Sequence, residues 1–397
     1  MPWSVTDVMS IRLEFVAEAF ARRRPFNALC KQYGISEKTG YKWLARFRAF
    51  GPDAMADASH QTVSCPHATP ARQRELLAAL RRSHPTWGAR KLRTVLATEH
   101  PDLIWPAPST ITNILHREGL IRQHKRRRRP GAPGGPRGPV TATEPNALWT
   151  IDYKGHFRTQ DGQWCYPLTI VDAASRFLLA CVAHRHPTTA RTLAVLRQCF
   201  RTYGRPSAML SDNGPPFGAP QAPRGFSRLS LWIRTLDIAP HFIVPGHPEQ
   251  NGRHERLHRT LKSEATTPAA SSLRQQQQRF DQFRLEYNTI RPHEALGQRP
   301  PAAAYQPSPR LFHTHPAPYA YPAHFHRRRV TRAGLIWWQQ EDIYVSNTLA
   351  GHTVGIDPCC PAHWDVYFAD YLLGTVDLTT MRFAPITTTF TSPINPV

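Results

Sequence analysis

The stretch from 145 to 297 constrains the fold most, because its apolar pattern changes type several times in a defined order. It begins with three strand-like runs joined by short polar turns, and then alternates between helical periodicity and short strand-like runs. The predicted strands are 147–157, 164–171, 176–184, 208–211 and 240–244, and the predicted helices are 190–203, 226–236, one that starts near 252, and 271–288. This order predicts an α/β domain built on a mixed sheet.

A helical module is predicted at 1–55, before the α/β domain. Ser4 and Asp7 are placed to cap its first helix, and Ser36 is a favourable N-cap for its third helix after a glycine turn. The predicted apolar face of the first helix carries Val8, Ile11, Phe15, Ala19 and Phe20. These features are typical of a helix-turn-helix, although a plain helical hairpin is the alternative. The candidate DNA contacts on the third helix are Lys38 and Lys42.

A second helical module is predicted at 68–120. Two helices at 71–82 and 89–97 are separated by a Pro-Gly turn, and Ser109 is placed to cap a third helix. The last helix again follows a turn. We therefore predict a second helix-turn-helix or homeodomain-like unit, with the same alternative of a plain helical hairpin.

The chain is strongly basic, with 50 Lys and Arg against 28 Asp and Glu and a net charge of +22. This favours a polyanionic partner, most often nucleic acid, although a generally Arg-rich composition is the alternative. Basic residues concentrate in two predicted linkers that are rich in proline, 121–144 and 298–333. The candidate DNA contacts in the first linker are Arg126, Arg127, Arg128 and Arg129.

Membrane proteins and disulfide-rich proteins are not expected from this sequence. It has no apolar run of the roughly 18–20 residues that span a bilayer, and no basic stretch followed by an apolar leader at its start. Its seven cysteines are an odd number and form no Cys-x-x-Cys pair, so neither a disulfide framework nor a structural zinc site is expected. We therefore expect a cytoplasmic protein with no membrane partner.

Five short apolar runs within 334–390 predict a small β-barrel. These predicted strands are 335–338, 342–346, 353–356, 364–368 and 372–376. From 334 onward the chain has one Arg and six Asp or Glu, and 1 − 6 gives −5 in an otherwise basic protein. Because this charge has the sign of phosphate, we expect the barrel to face protein rather than to grip DNA.

Three carboxylates are candidates for a metal site. Asp152 lies inside the first predicted strand, Asp212 follows a short strand, and Glu255 opens a long helix. An isolated Asp in an apolar strand is costly unless its charge is compensated, and Mg²⁺ or Mn²⁺ would compensate it, although a turn or cap role is the alternative for each Asp. Two such ions can activate a water or a 3′-hydroxyl for in-line attack on a phosphodiester. Asp172 is expected to shape a hairpin, and Glu264 lies nine residues beyond Glu255 on the opposite face of the helix, so neither is expected to be a metal ligand.

The chain resembles the DDE transposases of the IS481 family, within the retroviral-integrase-like superfamily. The resemblance covers nearly the whole chain and rests, in order, on CKQYGISEKTGYKWLARF, SHPTWGARKLR, WTIDYKGHF, IVDAASRF, LSDNGPPF, PEQNGRHERLHRTLK and EYNTIRPHEALGQRPPAAAY. It implies that 145–297 is an RNase H-like integrase core, the fold that the order of elements also predicts. It further implies that Asp152, Asp212 and Glu255 form the catalytic triad and hold two Mg²⁺ or Mn²⁺ ions.

The same resemblance implies a multidomain enzyme that acts on double-stranded DNA. It would bind the terminal inverted repeats of a transposon, cleave a strand at each end, and transfer the ends to target DNA. It would work as a homo-oligomer on DNA, in the bacterial cytoplasm and associated with the nucleoid. The alternative is a DNA-binding regulator with a decayed core, which the presence of all three carboxylates disfavours.

The helix of Glu255 carries two further signals. Residues at i, i+4 and i+7 share one face, so Arg259 and Lys262 are candidate phosphate contacts, although a simple surface ion pair is the alternative. The segment 254–258 also matches H-E-x-x-H, the motif of zinc metallopeptidases. The surrounding arginines and the lack of a third-ligand pattern disfavour zinc. The two histidines are then expected to contact phosphate or solvent.

Overall fold

The structure is a computed structural model that describes residues 7–57, 68–121, 142–244, 247–358 and 362–386. The chain divides into two compact units, Met1–Thr69 and Pro70–Val397. Several residues singled out in the sequence lie outside the described residues, namely Ser4, Cys65, Cys359, Cys360 and the four candidate contacts at 126–129. None of the described helices is long and apolar enough to cross a membrane.

The first unit contains three helices, α1 (Val8–Ala21), α2 (Phe26–Gln32) and α3 (Glu37–Phe50). Two of the predicted caps are confirmed, because the Asp7 carboxylate accepts from the Ser10 N–H and the Ser36 hydroxyl accepts from the Thr39 N–H, whereas Ser4 lies outside the described residues. The core is formed by Phe15, Val16, Leu29, Cys30, Trp43, Leu44 and Met55.

The predicted apolar face of α1 is partly wrong. Val8, Ile11 and Phe20 are exposed, whereas Phe15 and Val16 are buried. The reason is that α2 and α3 cover only the side of α1 that carries Phe15 and Val16, so the buried stripe is narrower than the apolar stripe in the sequence.

The second unit begins with α4 (Ala71–Ser83), α5 (Ala89–Glu99) and α6 (Pro108–Arg117), which pack around Trp87, Leu92 and Ile111. Ser109 does not cap α6, contrary to prediction. Pro108 occupies the first helical position, where its fixed φ and missing N–H are favourable, and this places Ser109 inside the helix.

The central sheet has six strands, and four helices accompany it. The strands are β1 (Leu148–Tyr153), β2 (Phe157–Arg158), β3 (Trp164–Asp172), β4 (Leu178–His184), β5 (Ala208–Ser211) and β6 (Ala239–Phe242). The helices are α7 (Thr189–Tyr203), α8 (Arg228–Thr235), α9 (Gly252–Leu261) and α10 (Leu273–Thr289). Strand β3 pairs antiparallel with β1, β2 and β4, while β1, β5 and β6 run parallel. The mixed sheet is confirmed.

The two faces of this sheet are covered by different helices. On one face, Trp149 and Ile151 pack with Leu196 and Phe200 of α7 and with α8. On the other face, strand residues such as Cys181 pack with α9 and α10. Helix α9 is shorter than the long helix predicted, because a π-helical turn follows it at Lys262–Thr266.

The C-terminal region forms two antiparallel sheets. Its strands are β7 (His326–Arg329), β8 (Leu335–Trp338), β9 (Glu341–Tyr344), β10 (Thr353–Asp357), β11 (His363–Phe368), β12 (Tyr371–Asp377) and β13 (Arg382–Pro385). The hairpin β8–β9 lies between β7 and β13, so both sheets enclose one core, as the predicted barrel requires. Phe226 and Leu231 of the central domain belong to that core, so the barrel packs on protein.

The predicted linker 298–333 is not a free tether in the structure. Tyr305 stacks on Phe177 at 4.3 Å, and the Arg310 guanidinium donates to the Pro206 carbonyl at 2.6 Å. The segment also contains β7, whose residues are mostly exposed, so no apolar alternation marked it as a strand. From 326 onward the chain has five Arg and six Asp or Glu, and 5 − 6 gives −1 instead of −5. The charge argument against DNA contact therefore does not extend to β7.

Candidate active site

The carboxylates of Asp152 and Asp212 lie at the same end of the central sheet. Strand β1 pairs in parallel with β5, in a register that sets Leu148 beside Ala208 and Thr150 beside Leu210. Continuing this register by two residues sets Asp152 beside Asp212, which directly follows β5. Two aspartates that are 60 positions apart in the sequence are thus neighbours at one end of the buried strands.

The environment of this pair disfavours its negative charge. Burial raises the pKa of Asp152 from 3.8 to about 7, and repulsion from Asp212 and, less strongly, Glu255 adds to the rise. Burial also raises the pKa of Asp212. The Oδ1 atom of Asp212 is buried and accepts no hydrogen bond from the described residues. A pair of this kind, with an unsatisfied oxygen, fits a bound cation.

The third carboxylate, that of Glu255, is close enough to act electrostatically on Asp152. It does not form a metal-binding cluster with the two aspartates among the described residues. Glu255 lies in the first turn of α9 and is exposed, and its charge acts on Asp152. Over the ranges that the structure describes, no three His, Cys, Asp or Glu side chains have the geometry of a metal site. Asn251, which directly precedes α9, directs its amide at Asp152 Oδ2 over 3.4 Å. Sequence reasoning missed Asn251, although an Asn directly before a helix is a recognisable signal.

The two histidines of the H-E-x-x-H motif are bonded to threonines. His254 Nδ1 lies 2.9 Å from the Thr150 hydroxyl, and the Nε2 atoms of His254 and His258 lie 2.6 and 2.8 Å from the Thr169 hydroxyl. Burial holds the pKa of His254 well below its usual value and lowers that of His258 to about 4, so both rings are neutral. The Thr169 hydroxyl occupies the position between the two rings that a zinc ion would need.

The expected role of these histidines is therefore wrong for His254, which is 2% exposed and so is accessible neither to solvent nor to a phosphate. Thr169 pairs with Asp152 across β1 and β3, and its hydroxyl also donates to the Asp152 carbonyl. His258 Nδ1 lies 3.9 Å from Asp152 Oδ2. The histidines thus anchor α9 to the strand that carries Asp152. The sequence signal for this anchoring role was Thr169, a single polar Thr in an apolar strand.

The other side chains of α9 form a basic surface next to Glu255. Arg259 lies one turn after Glu255, Lys262 begins the π-helical turn, and all three are exposed. Lys262 is close enough to Lys154 to reinforce the lowering of the Lys154 pKa that burial causes. This basic surface lies next to Glu255 and has the charge that binding of a phosphate group requires.

Two other acidic residues have structural roles, as predicted for Asp172. The buried Asp172 carboxylate accepts from the Ser175 N–H and the Asn146 N–H, both at 2.7 Å, and so shapes the β3–β4 hairpin. Glu264 forms an ion pair of 2.6 Å with Arg291. Neither carboxylate lies with the pair Asp152–Asp212.

Lys38 and Lys42 are both exposed on α3, whose buried residues include Trp43 and Leu44. This exposure is what a DNA-contacting face of the third helix requires.

Comparisons with known families agree with this architecture. Residues 142–248 and 236–301 each match a family described as integrase core domain. Residues 11–61 match a helix-turn-helix domain, and residues 39–115 match a homeodomain-like domain. The chain therefore has matches to integrase core domains over 142–301, preceded by matches to helix-turn-helix and homeodomain-like domains.

Individual relatives are similar over part of their length. The chain is 28% identical to the "Insertion element IS476 uncharacterized 39.2 kDa protein" of Xanthomonas euvesicatoria, over 57% of this chain and 62% of that protein. It is 27% identical to the Gag-Pol polyprotein of baboon endogenous virus, over 49% of this chain and 11% of that protein. A solved simian T-cell lymphotropic virus intasome chain is 19% identical and has a TM-score of 0.38, with 75% of this chain and 97% of that chain covered.

Proposed function

We propose that this protein is a DDE transposase of the IS481 family, which cleaves DNA strands at transposon ends and joins them to target DNA. The observation that carries the proposal is the pair Asp152–Asp212 at the end of the buried strands, next to the basic surface of α9. The integrase core domain and the helix-turn-helix domains support it. The similarity to an insertion-element protein over 57% of this chain supports it further.

The donor set fits hard divalent cations. Asp152, Asp212 and Glu255 would hold them, because the pair is desolvated, one Asp212 oxygen has no hydrogen-bond partner among the described residues, and Glu255 stands at the start of α9. Two Mg²⁺ or Mn²⁺ ions would supply activation of the attacking water or 3′-hydroxyl and stabilisation of the leaving oxygen.

The remaining residues of the site position Asp152 and helix α9, or would bind DNA phosphates. The Asn251 amide donates to Asp152 and holds its side chain in place, and the hydrogen bonds of His254 to two strands hold α9 at a defined distance from them. Arg259 and Lys262 would bind backbone phosphates beside the site.

Recognition of the DNA sequence would come from the helical modules, where Lys38 and Lys42 on α3 are the candidate contacts. The arginines at 126–129 would bind backbone phosphates, which position the protein on DNA without reading its sequence.

The proposed substrates are transposon ends and target DNA. We propose that the helical modules recognise the terminal inverted repeats of a transposon and that the core acts on those ends and on target DNA. Two ends must be brought together for joining, so we propose that the active form is a homo-oligomer on double-stranded DNA.

The substitution Glu255→Gln tests the proposal. It preserves the size of the side chain and removes the charge needed to hold a cation, so binding to repeat-containing duplexes should persist. Cleavage and strand transfer in Mg²⁺ should fall by several orders of magnitude. Glu99→Gln, an exposed change at the end of α5, is the matched control and should leave both unchanged. Full strand transfer by the Glu255→Gln protein would refute the proposal.

A further inference from the structure

A cavity of about 480 Å³ lies beside α9, within the second compact unit. Its wall is built from α5, the β3–β4 turn, the start of α9, and the end of α10 with the segment after it. Five basic side chains line it: Lys91, Arg176, Arg253, Arg256 and Arg291. The sequence did not predict that these residues come together, because they lie in four separate segments.

The cations of this cavity are poorly compensated. Arg176 and Arg253 both donate to a single carbonyl, that of Ala173, at 2.8 and 3.2 Å. The one carboxylate in the described wall, Glu294, is largely exposed and forms an ion pair with Arg90, which is not part of the wall. Within the part of the chain that the structure describes, Arg291 is the one cation of the five that forms an ion pair, and its partner is Glu264. The cavity therefore has a large excess of positive charge.

Burial and mutual repulsion act on these groups. Burial lowers the pKa of Lys91 to about 8, and the neighbouring Arg291 adds to the lowering, while Glu264 and Glu294 partly oppose it. Burial also lowers the pKa of Arg176, together with repulsion from Arg253 and Arg256. Both effects disfavour the charged forms unless an anion enters the cavity.

Two further groups in the wall suit an anion with hydrogen-bonding oxygens. His293 Nε2 is buried and has no hydrogen-bond partner among the described residues. Helix α9, ten residues long, begins at Gly252 in the wall, and the N-terminus of a helix attracts negative charge through its free N–H groups. These groups and the arginines together match the oxygens of a phosphate group.

We propose that this cavity binds a phosphate group of the DNA backbone, separately from the carboxylate site. Lys91 comes from the second helical module, whereas Arg253 and Arg256 flank Glu255 on α9. One bound phosphate would therefore be held jointly by the DNA-binding module and by the helix of the catalytic carboxylate. This joint contact would fix the position of the DNA end relative to the active site. The proposal rests on the proposed function only in taking DNA as the source of the phosphate.

The test measures DNA affinity of the full chain over a series of salt concentrations. The double variant Lys91→Gln, Arg256→Gln removes two cations of the cavity. The matched control, Arg93→Gln with Arg274→Gln, removes two cations on α5 and α10 that do not line it. We expect the magnitude of the slope of log K against log salt to fall by up to about 0.9 in the cavity variant, the value for the one phosphate that is no longer neutralised, and by clearly less in the control. Equal slopes in the two variants would overturn the proposal.

Two additional measurements separate the possible outcomes. Lys91→Gln alone should lower the slope by about half as much, which keeps the test valid if the double variant does not fold. Pyrophosphate is the free-anion probe: if it raises the melting temperature of the unmodified chain while the DNA slopes of cavity and control variants stay equal, the DNA assignment is wrong. Because binding is measured without cleavage, a reduced slope in a chain that never cleaves DNA would support the cavity and refute the transposase.

Discussion

Replacement of Asp152 by Asn should stabilise the cation-free protein at alkaline pH. One pKa unit corresponds to about 1.4 kcal/mol, so a pKa raised from 3.8 to about 7 means that ionised Asp152 costs the folded state about 4 kcal/mol. The side chain is 21% exposed, and solvent screening lowers the expected gain to about 2–4 kcal/mol. Asn removes the charge and keeps the shape.

The sign of the pH dependence follows from the same shift. The unfolded state ionises near pH 3.8 and the folded state near pH 7, so the contribution of Asp152 is favourable below the lower value. It is lost progressively as the pH rises from about 4 through about 7. The variant should therefore exceed the unmodified chain in stability at pH 8 and lose this advantage at pH 4.

Urea unfolding in EDTA at pH 4 and pH 8, followed by far-UV circular dichroism, measures this difference. Asp161→Asn is the control, because Asp161 is fully exposed and a hydrogen bond from Thr159 lowers its pKa, so this variant should show no gain. Addition of Mg²⁺ should stabilise the unmodified chain and not the Asp152→Asn protein. Equal stability of both chains at pH 8 in EDTA would refute the reasoning that the pair is desolvated and self-repelling.

Three further predictions concern the rest of the chain. Replacing Arg126–Arg129 by Ala should lower the salt slope of DNA binding by about 3.6, at about 0.9 for each of four neutralised phosphates. Base preference should stay intact, because phosphate contacts do not read the sequence. An unchanged slope would mean that the segment only connects its neighbouring domains. His254→Ala with His258→Ala should cost about 2–4 kcal/mol of stability, because packing and hydrogen bonds are removed. Because these histidines anchor α9, Mg²⁺-dependent DNA cleavage should be reduced but not abolished, and a zinc-dependent peptidase activity without DNA cleavage would contradict this. Glu264→Gln should cost about 1–3 kcal/mol in urea unfolding, because Arg291 stays buried without its carboxylate, and an unchanged stability would contradict this.

Local patterns in the sequence predicted most of the central fold. The period of the apolar residues distinguishes strands from helices over a few residues, and the order of the elements then limits the sheet to few topologies. Helix caps such as Asp7 and Ser36 accept hydrogen bonds from residues three positions away, so they could also be predicted from the sequence. Asp152 and Asp212 stood out because each carboxylate adjoins an apolar strand.

Structural features that depend on contacts between distant segments could not be predicted from the sequence. The edge strand β7 has mostly exposed residues, so its place in the sheet comes from pairing with β10 rather than from its own pattern. The apolar stripe of α1 is wider than the side that its neighbours cover, so the buried residues could not be chosen from the stripe alone.

The sequence by itself determined the kinds of elements, their order and the presence of three carboxylates, since these depend on short-range periodicity and on residue chemistry. Only the tertiary structure decided that His254 is a buried anchor, because its threonine partners lie 85 and 104 positions away in the sequence. It likewise decided that Lys91 and Arg256 share one cavity. Such groupings arise where helices and strands pack, and the free energy of that packing is not encoded in any single segment.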